Sequence, residues 1–273
     1  NKMEVIRVED HGLVPLPPNA GNYSAEFIAD FRKDLKPLDI VQSEGPSYEV
    51  KGYGIAWQKW NFRIGFTPRE GLILYNIGYW DQDRLRSIID RASLADMVVP
   101  YGDPKPHNFR KNAFDVGEYG IGSMANSLTL GCDCLGEIYY FDVVLNDSKG
   151  GLMKIPNAIC MHEEDFGILW KHVDWRTGHT EVRRSRRLVV SFIATAGNYE
   201  YGFFWYFYQD GSIEYQIKLT GIVNNEAVLP GEKPKYGTLV APQVNAHIHQ
   251  HIFNVRLDMS VDGERNSVYE VNS

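Results

Sequence analysis

Residues 187–223 constrain the fold more than any other part of the sequence, because strand-forming residues fill this segment and turn residues interrupt it twice. Residues 187–194 and 202–208 are rich in β-branched and aromatic side chains, which favour strands. After a turn at 208–212, apolar and polar residues alternate over 213–219, as in an antiparallel strand with one buried face. The segment therefore predicts consecutive antiparallel strands.

Most of the remaining chain has the same character. A hairpin is expected across residues 57–77, with its turn at 67–71, and strand-forming residues return at 137–145. Residues 81–99 fit both a helical period and a strand, whereas residues 101–136 show no period and indicate long functional loops. With 13% aromatic residues and little helical pattern, the chain is predicted to be mainly β, as an antiparallel β-sandwich.

Residues 1–50 carry a weaker pattern than the rest of the chain. Three prolines between residues 15 and 18 interrupt the start, and a short helix is predicted at 26–31. We expect residues 1–50 to be an arm or linker that leads into a β-sandwich formed by residues 51–273. A loop rich in Pro and Gly is expected at 224–243.

Charge and hydropathy exclude two classes of partner. The net charge is −7, and nucleic acid is not an expected partner because phosphate binding needs a basic face. No apolar run has the length of about 20 residues that a membrane-spanning helix needs, so no membrane partner is expected. The first residues are charged and show no signal sequence.

Three of the eight histidines alternate in the segment His247-Ile248-His249-Gln250-His251. On one strand they would share a face and span about 13 Å, at roughly 3.3 Å per residue. One metal ion with bonds of about 2 Å cannot reach all three across that span, but it can bind two of them, either His249 with His251 or His247 with His249. Imidazole suits copper, zinc or iron. The alternative is three histidines without a metal, and the regular alternation favours the metal.

Two further groups of residues can carry chemistry. Asp115 and Glu118 lie among glycines and aromatic residues, and burial in an apolar pocket would raise a carboxyl pKa and make the group a usable general base. A turn built on the aspartate explains the same pattern. Among the three cysteines, Cys132 and Cys134 would point to one face of a strand, and one of them can pair with Cys160.

Three separated motifs together resemble the copper amine oxidases, of the microbial and fungal type. Residues 195–201, Thr-Ala-Gly-Asn-Tyr-Glu-Tyr, resemble the active-site signature of that family. Residues 115–120 resemble its catalytic-base motif, and residues 247–253 resemble its copper strand. The order and spacing of the motifs also fit, and the resemblance extends from Lys36 to the C-terminus. Cupin-type oxygenases also place a His-x-His pair on a β-sandwich, but the glutamate that usually follows it is missing here.

The resemblance implies a role for each residue of the catalytic centre. Tyr199 would be the precursor of topaquinone, formed when copper(II) and O2 oxidise its ring in place. Asn198 would help to fix the orientation of that ring, and Tyr101 would hydrogen-bond the quinone oxygen. Asp115 would take a proton from the α-carbon of a primary amine. The products would be an aldehyde, ammonia and hydrogen peroxide, and the enzyme would be a homodimer.

The resemblance also implies metal ligands. His249 and His251 would bind copper(II), with His247 as a neighbour of the site. Asp258 and Met259 match a peripheral site for calcium or manganese.

Further residues follow from the same comparison of motifs. The family's disulfide would join Cys134 to Cys160 and leave Cys132 free. Ala113 and Tyr119 would line the substrate channel. Residues 81–99 would form a strand, and a peroxisomal or cytoplasmic location is favoured over secretion.

One departure from the family pattern limits what we expect of this chain. The third copper histidine of the family lies far downstream of the paired two, and this sequence has 22 residues after His251. We therefore expect residues 51–273 to be the N-terminal part of the catalytic domain, with the third copper ligand in a C-terminal portion. The alternative function is an inactive β-sandwich segment of such an enzyme.

Overall fold

A computed structural model describes residues 3–10, 12–28 and 30–272, and the protein is nearly all β over those ranges. The described elements also include a one-turn α-helix, α1, at Pro106–Phe109 and a 3₁₀ helix at Ile121–Met124. The strands β1 to β15 are, in chain order, Tyr48–Lys51, Gly54–Trp57, Trp60–Thr67, Gly71–Asp81, Arg84–Val99, Ala113–Phe114, Tyr139–Asn146, Leu152–Val173, Thr180–Ala196, Tyr199–Tyr208, Ile213–Gly221, Asn225–Ala227, Gly237–Ala241, Val244–His247 and Ile252–Met259.

Contacts divide the chain into two compact units. The boundary expected at residue 50 stays a prediction. The first unit consists of Asn1–Lys36, Pro100–Asn112 and Val223–Gln250. The second unit consists of Pro37–Val99, Ala113–Ile222 and His251–Ser273.

The second unit is an antiparallel β-sandwich, which confirms the predicted fold class. One sheet has the strand order β1-β2-β3-β4-β5-β15, with β6 paired to β5, and the other has the order β11-β10-β9-β8-β7. Apolar side chains from both sheets form one buried cluster. Phe62 of the first sheet stacks on Phe207 of the second, with ring centroids 4.5 Å apart and planes within 8°. Burial of this aromatic surface stabilises the packing of sheet on sheet.

The predicted strands of residues 187–223 are β9, β10 and β11. A two-residue turn joins β9 to β10, with Gly197 at a φ of 61° in its first central position, as a type II′ hairpin turn requires. Tyr201, Phe203, Trp205 and Phe207 share one face of β10 and lie in the core cluster, and Gly202 and Tyr206 on the opposite face are buried as well.

Within the ambiguous segment 81–99, Arg84–Val99 forms strand β5, as the family resemblance implies, whereas Asp81 ends β4 and residues 82–83 form the turn. The helical interpretation of residues 85–92 is wrong. Register shifts opposite this segment explain its pattern. One lies between Ile77 and Gly78 of β4, and another between Asp258 and Met259 of β15. Each irregularity breaks the strict alternation of a strand and so produces an apolar spacing like that of a helix.

Two other expectations from the sequence need correction. The helix expected at 26–31 is absent from its described residues, where 25–27 form a turn, and Ala29 lies outside the described residues. The expected loop at 224–243 contains two strands, β12 and β13. They flank β14 in the three-stranded antiparallel sheet of the first unit.

The histidine segment is also not one continuous strand. Strand β14 ends at His247, an isolated bridge pairs His249 with Tyr101, and β15 begins at Ile252. The backbone changes hydrogen-bond partners between these points, which ends the ladder. The alternation of burial persists, because His247, His249 and His251 are each less exposed than the residue that follows.

Across the part of the chain that the structure describes, no helix has the length and apolar content needed to cross a membrane.

Candidate active site

Tyr199 is the first residue of β10 and is held by strands on both sides. It pairs with Ala196 of β9 across the two-residue turn and with Gly221 of β11. Asn198 occupies the turn, and its carbonyl accepts a hydrogen bond of 2.7 Å from the amide of Ile222. The backbone at Tyr199 is therefore fixed by two neighbouring strands and the turn that precedes it.

Gly221 makes this close pairing possible. Its φ is +94°, a conformation that favours glycine, and a Cβ placed there would lie 2.6 Å from Asn198 O and 3.1 Å from Tyr199 Cα. A larger residue would therefore push against the backbone that carries Tyr199. Sequence reasoning missed Gly221, because its role is visible only through its contact with the backbone of Tyr199.

The side chains of Tyr199 and Tyr201 meet His251 in the second unit. The rings of Tyr199 and His251 lie edge to face, with centroids 4.9 Å apart and planes at 90°. Tyr201 is fully buried, and its Oη lies 3.0 Å from His251 Nδ1. The structure thus brings one predicted copper histidine against the predicted cofactor precursor.

The other face of the hairpin carries a polar network. Thr195 and Glu200 are cross-strand partners, and Thr195 Oγ1 lies 2.8 Å from Glu200 Oε1. The amide nitrogen of Asn126 lies 3.1 Å from Thr195 Oγ1 and 3.2 Å from Glu200 Oε2. Asn126 also donates its backbone N–H to Ile193, so the loop is fastened to β9. Sequence reasoning did not find Asn126, which lies in a loop without a motif.

Asp115 follows β6 and is partly buried. Its backbone N–H donates to Met97 of β5 over 3.1 Å. Burial, and then the negative charge of Glu118, raise the pKa of Asp115 above its ordinary value. Glu118 itself accepts a hydrogen bond of 2.8 Å from the amide of Phe114. The loop thus holds a carboxyl group with a higher proton affinity than an exposed aspartate has.

The residues predicted to line the channel lie on either side of Asp115. Ala113 is half-buried in β6, and Tyr119 has 66% of its surface exposed. Their part in a channel stays a prediction.

In the first unit, Tyr101 and His249 lie together. Their rings stack, with centroids 4.9 Å apart and planes within 20°. The amide of Asn224 donates a hydrogen bond of 3.0 Å to Tyr101 Oη. His249 Nδ1 lies 2.8 Å from the carbonyl oxygen of His247. Because a carbonyl only accepts, Nδ1 carries the proton and Nε2 has the lone pair in the neutral ring.

The remaining predicted residues have clear positions. Cys134 and Cys160 are joined by a disulfide, and Cys132 is a free exposed cysteine. Asp258 and Met259 are at the end of β15, where Asp258 lies 3.4 Å from the guanidinium of Arg256. Over the described residues, no group of three or more His, Cys, Asp or Glu side chains is arranged to hold a metal ion. The peripheral metal site stays a prediction.

Comparison with known proteins agrees with the motifs and the fold. Residues 49–273 match the family model of the copper amine oxidase enzyme domain. The chain is 56% identical over 272 residues to the primary amine oxidase of Arthrobacter sp. (strain P1), and the match covers 99% of this chain and 42% of that protein. It is 55% identical over 279 residues to the peroxisomal copper-containing diamine oxidase 1 of Nicotiana tabacum, covering 99% of this chain and 36% of that one.

A solved structure gives the same result. The copper-containing benzylamine oxidase from Hansenula polymorpha superposes with a TM-score of 0.83 at 42% identity, over 88% of this chain and 37% of that one. The chain belongs to the copper amine oxidase family, which confirms the resemblance seen in the three motifs. The part of the family that it matches is the enzyme domain, and it spans less than half the length of these relatives.

Proposed function

We propose that the protein oxidises primary amines with O2 and water to aldehydes, ammonia and hydrogen peroxide, using copper(II) and a topaquinone formed from Tyr199. The observation that carries the proposal is the placement of Tyr199, which is held in β10 with its ring 4.9 Å from His251. Membership of the enzyme-domain family and the names of the relatives, a primary amine oxidase and a diamine oxidase, support the substrate class.

The two histidines His249 and His251 fit part of a copper site, and its third ligand is expected in a C-terminal portion of the domain. Imidazole nitrogens are good copper ligands, and metal-bound histidines usually engage their second nitrogen in a hydrogen bond. His249 Nδ1 donates to a carbonyl and His251 Nδ1 contacts the Tyr201 hydroxyl, so Nε2 of each ring is the atom that would bind copper(II). His249 belongs to the first unit and His251 to the second, and their pairing on one ion rests on their spacing in the sequence.

The cofactors and the protein have separate tasks in this proposal. Topaquinone supplies a carbonyl that accepts electrons from the amine, and copper(II) supplies the O2 chemistry that forms and regenerates it. The backbone pairing of Tyr199 and the turn residue Asn198 hold the ring in one orientation. Tyr101, whose own hydroxyl is fixed by Asn224, is assigned the hydrogen bond to the quinone oxygen on the family resemblance.

Asp115 is the proposed general base. A carboxylate oxygen of Asp115 takes the proton from the α-carbon of the bound amine, and it must be unprotonated to do so. The raised pKa makes it a stronger base than an exposed aspartate, since a higher pKa means a higher proton affinity. Ala113 and Tyr119 are proposed as walls of the channel through which the amine enters.

A second copy of the chain is the proposed partner. Strands β8 and β9 are 22 and 17 residues long and pair as a hairpin out to Val173 and Thr180. Large apolar side chains near its end are exposed, and such patches mark interaction surfaces. They are Phe166, Ile168, Leu169, Trp170 and Trp175. Sedimentation equilibrium is expected to give twice the mass of one chain, and a strictly monomeric protein would refute this part of the proposal.

Tyr199→Phe tests the function directly. The protein is incubated with Cu(II) and O2, denatured and treated with phenylhydrazine, which forms a coloured adduct with quinones. We expect an adduct in the unchanged protein and none in Tyr199→Phe, because the ring that becomes the quinone needs its hydroxyl. Tyr215→Phe, which removes a hydroxyl from β11 of the same sheet, is the matched control and keeps the adduct.

Two results would contradict the proposal. An adduct that survives in Tyr199→Phe would remove that residue from the cofactor. Absence of the adduct from the unchanged protein would favour the inactive β-sandwich instead. Calcium or manganese at Asp258 and Met259, and a peroxisomal or cytoplasmic location, are proposals that metal analysis and fluorescence localisation can refute.

A further inference from the structure

Glu226 connects three elements of the first unit. It lies in β12, and its Oε1 accepts a hydrogen bond of 3.1 Å from the side-chain amide of Asn245 in β14. Its Oε2 lies 3.4 Å from the amide of Asn108 and 3.4 Å from His107 Nε2, both in α1. The same Oε2 lies 3.2 Å from His247 Nε2 at the end of β14. The carboxylate of Glu226 is thus surrounded by nitrogen atoms from α1 and from β14.

The carboxylate is held in its charged form. Burial favours the neutral acid, but the hydrogen bond from Asn245 and the contact with His247 outweigh burial and hold the pKa of Glu226 at about 2. Glu226 therefore presents a fixed negative charge to the His247 ring at any pH near neutrality.

His247 depends on this charge more than an exposed histidine would. Its side chain is 1% exposed, and neither ring nitrogen makes a hydrogen bond of good geometry. The contact with Glu226 is within ion-pair distance but misaligned, so its strength is electrostatic. A buried imidazole without good hydrogen bonds is costly, and the nearby carboxylate offsets that cost. Removal of the charge would release the ring from its place.

The backbone of His247 is what reaches the proposed copper ligand. Its carbonyl oxygen accepts the Nδ1–H of His249 over 2.8 Å. The same peptide unit donates the N–H of Ile248 to Tyr236 over 3.0 Å. The orientation of this peptide thus sets both the tautomer and the direction of the His249 ring. Because β14 ends at His247, its side chain and its backbone N–H, which donates to the carbonyl of Asn224 over 3.3 Å, hold the chain just before that peptide.

We propose that Glu226 is a positioning residue for His249 and acts through His247. The carboxylate fixes the buried ring of His247, the carbonyl of His247 fixes His249 Nδ1, and Nε2 of His249 is thereby presented to copper(II). This role rests on the proposed function, since it concerns the copper site. It adds Glu226, which lies outside the sequence motifs, to the residues that orient a proposed copper ligand.

Copper affinity tests the proposal. Metal-free protein is titrated with Cu(II) in the presence of a competing chelator, for the unchanged protein and for Glu226→Gln. Gln keeps the shape and one acceptor for Asn245 but removes the charge. We expect the dissociation constant for Cu(II) to rise about 10- to 100-fold, as is typical when an outer-layer partner of a metal ligand is lost. Glu232→Gln, a carboxylate change in the loop of the same unit, is expected to leave it unchanged.

A second readout does not need the metal. Nitrogen-15 NMR of the metal-free protein reports which ring nitrogen of His249 carries the proton. We expect the Nδ1–H tautomer to dominate in the unchanged protein and to lose population in Glu226→Gln. His247→Asn should reproduce the loss of copper affinity, and the double variant should be no weaker than either single one, because both changes break one chain of contacts. Additive losses would refute action through His247.

The outcomes separate this inference from the proposed function. If the unchanged protein takes up Cu(II) and Glu226→Gln binds it equally well with the same His249 tautomer, the backbone bond from Ile248 to Tyr236 suffices and the role of Glu226 is overturned. If the unchanged protein takes up no Cu(II), the proposed function fails and this role fails with it. Circular dichroism of each variant identifies a change that merely unfolds the chain, and the NMR readout on a folded Glu226→Gln then decides.

Discussion

Tyr199 and Asp115 belong to the same unit, yet the fold positions them in different ways. Tyr199 opens a ten-residue strand and is paired on both sides, with a two-residue turn before it and Gly221 packed against it. Asp115 follows the two-residue strand β6, and a single backbone hydrogen bond of 3.1 Å ties it to Met97. Backbone pairing fixes the position of Tyr199, whereas burial and the neighbouring charge of Glu118 raise the pKa of Asp115.

The difference matches what each proposed role requires. A tyrosine that is converted in place must present one ring position to its surroundings, so its backbone needs to be fixed. A general base needs a suitable proton affinity, which depends on burial and charge around the carboxyl group. Substitutions that affect the backbone at Tyr199 should therefore change cofactor formation, and substitutions around Asp115 should change turnover and its pH dependence.

Asp115→Asn is expected to have the largest effect. Turnover should fall by about 10²- to 10⁴-fold, because an amide cannot accept the α-proton. The phenylhydrazine adduct should persist, since Tyr199 and its pairing are untouched. Turnover is measured by steady-state kinetics, and the adduct is measured by its absorbance on the same sample. Normal turnover would refute the base role of Asp115. Loss of the adduct would show that Asp115 also affects cofactor formation at Tyr199, so that the two regions do not act independently.

The same variant has an expected effect on stability. A carboxyl whose pKa is raised by folding contributes stability that is fully present below its unfolded pKa and is lost as the pH rises through the folded pKa. At neutral pH the ionised Asp115 therefore disfavours the folded state. Asp115→Asn should be at least as stable as the unchanged protein in urea unfolding at pH 7, and a clear loss of stability would contradict this sign.

Gly221→Ala is expected to have the next largest effect. The added Cβ meets the backbone of Asn198 and Tyr199, and the positive φ is strained for alanine. We expect a loss of about 1–3 kcal/mol in the free energy of unfolding, together with slower formation of the quinone. Thr220→Ala, at the preceding exposed position of β11, is the control and should stay within about 0.5 kcal/mol. If both variants behave alike, the close packing at Gly221 has no special role.

Glu118→Gln is expected to have the smallest effect. It removes the like charge, which is the second cause of the raised pKa of Asp115, while burial, the larger cause, remains. The pKa of Asp115 should fall, and the acid limb of the kcat/KM profile should move to lower pH because the base stays ionised there. Glu181→Gln, which changes a partly exposed carboxylate in β9, should not move it. A shift to higher pH would refute the assignment of Asp115 to that limb.

The sandwich was predictable from sequence where strand-forming residues are dense or alternate with polar ones. Aromatic residues indicated β10, and the alternation over 213–219 indicated β11, whose burial alternates from Ile213 to Lys218. The motifs also drew attention to Tyr199 and Asp115, whose roles are proposals. The histidine segment was predicted less well, because three alternating histidines indicate one strand and the backbone ends its ladder at His247. Alternation in the sequence indicates which side chains are buried, but it does not indicate which neighbouring segment supplies the backbone hydrogen bonds.

Three residues of the site region carried no usable sequence signal. Asn126 reaches Thr195 and Glu200 from a loop, Gly221 is recognised only by its contact with Tyr199, and Glu226 acts across three elements. Each role arises from contacts between positions far apart in the chain. Composition and periodicity describe local preferences, so they do not reach such contacts.

The two-residue turn between Ala196 and Tyr199 limits how the chain can vary in length. Side chains of a strand alternate between faces, so one inserted residue that slips the register turns every later side chain of β10 to the opposite face. Tyr199 would then exchange its surroundings with those of Asn198 or Glu200, and the row of aromatic residues from Tyr201 to Phe207 would turn away from the core between the two sheets. Insertions and deletions should be excluded at this turn, even where single substitutions of Asn198 still fold.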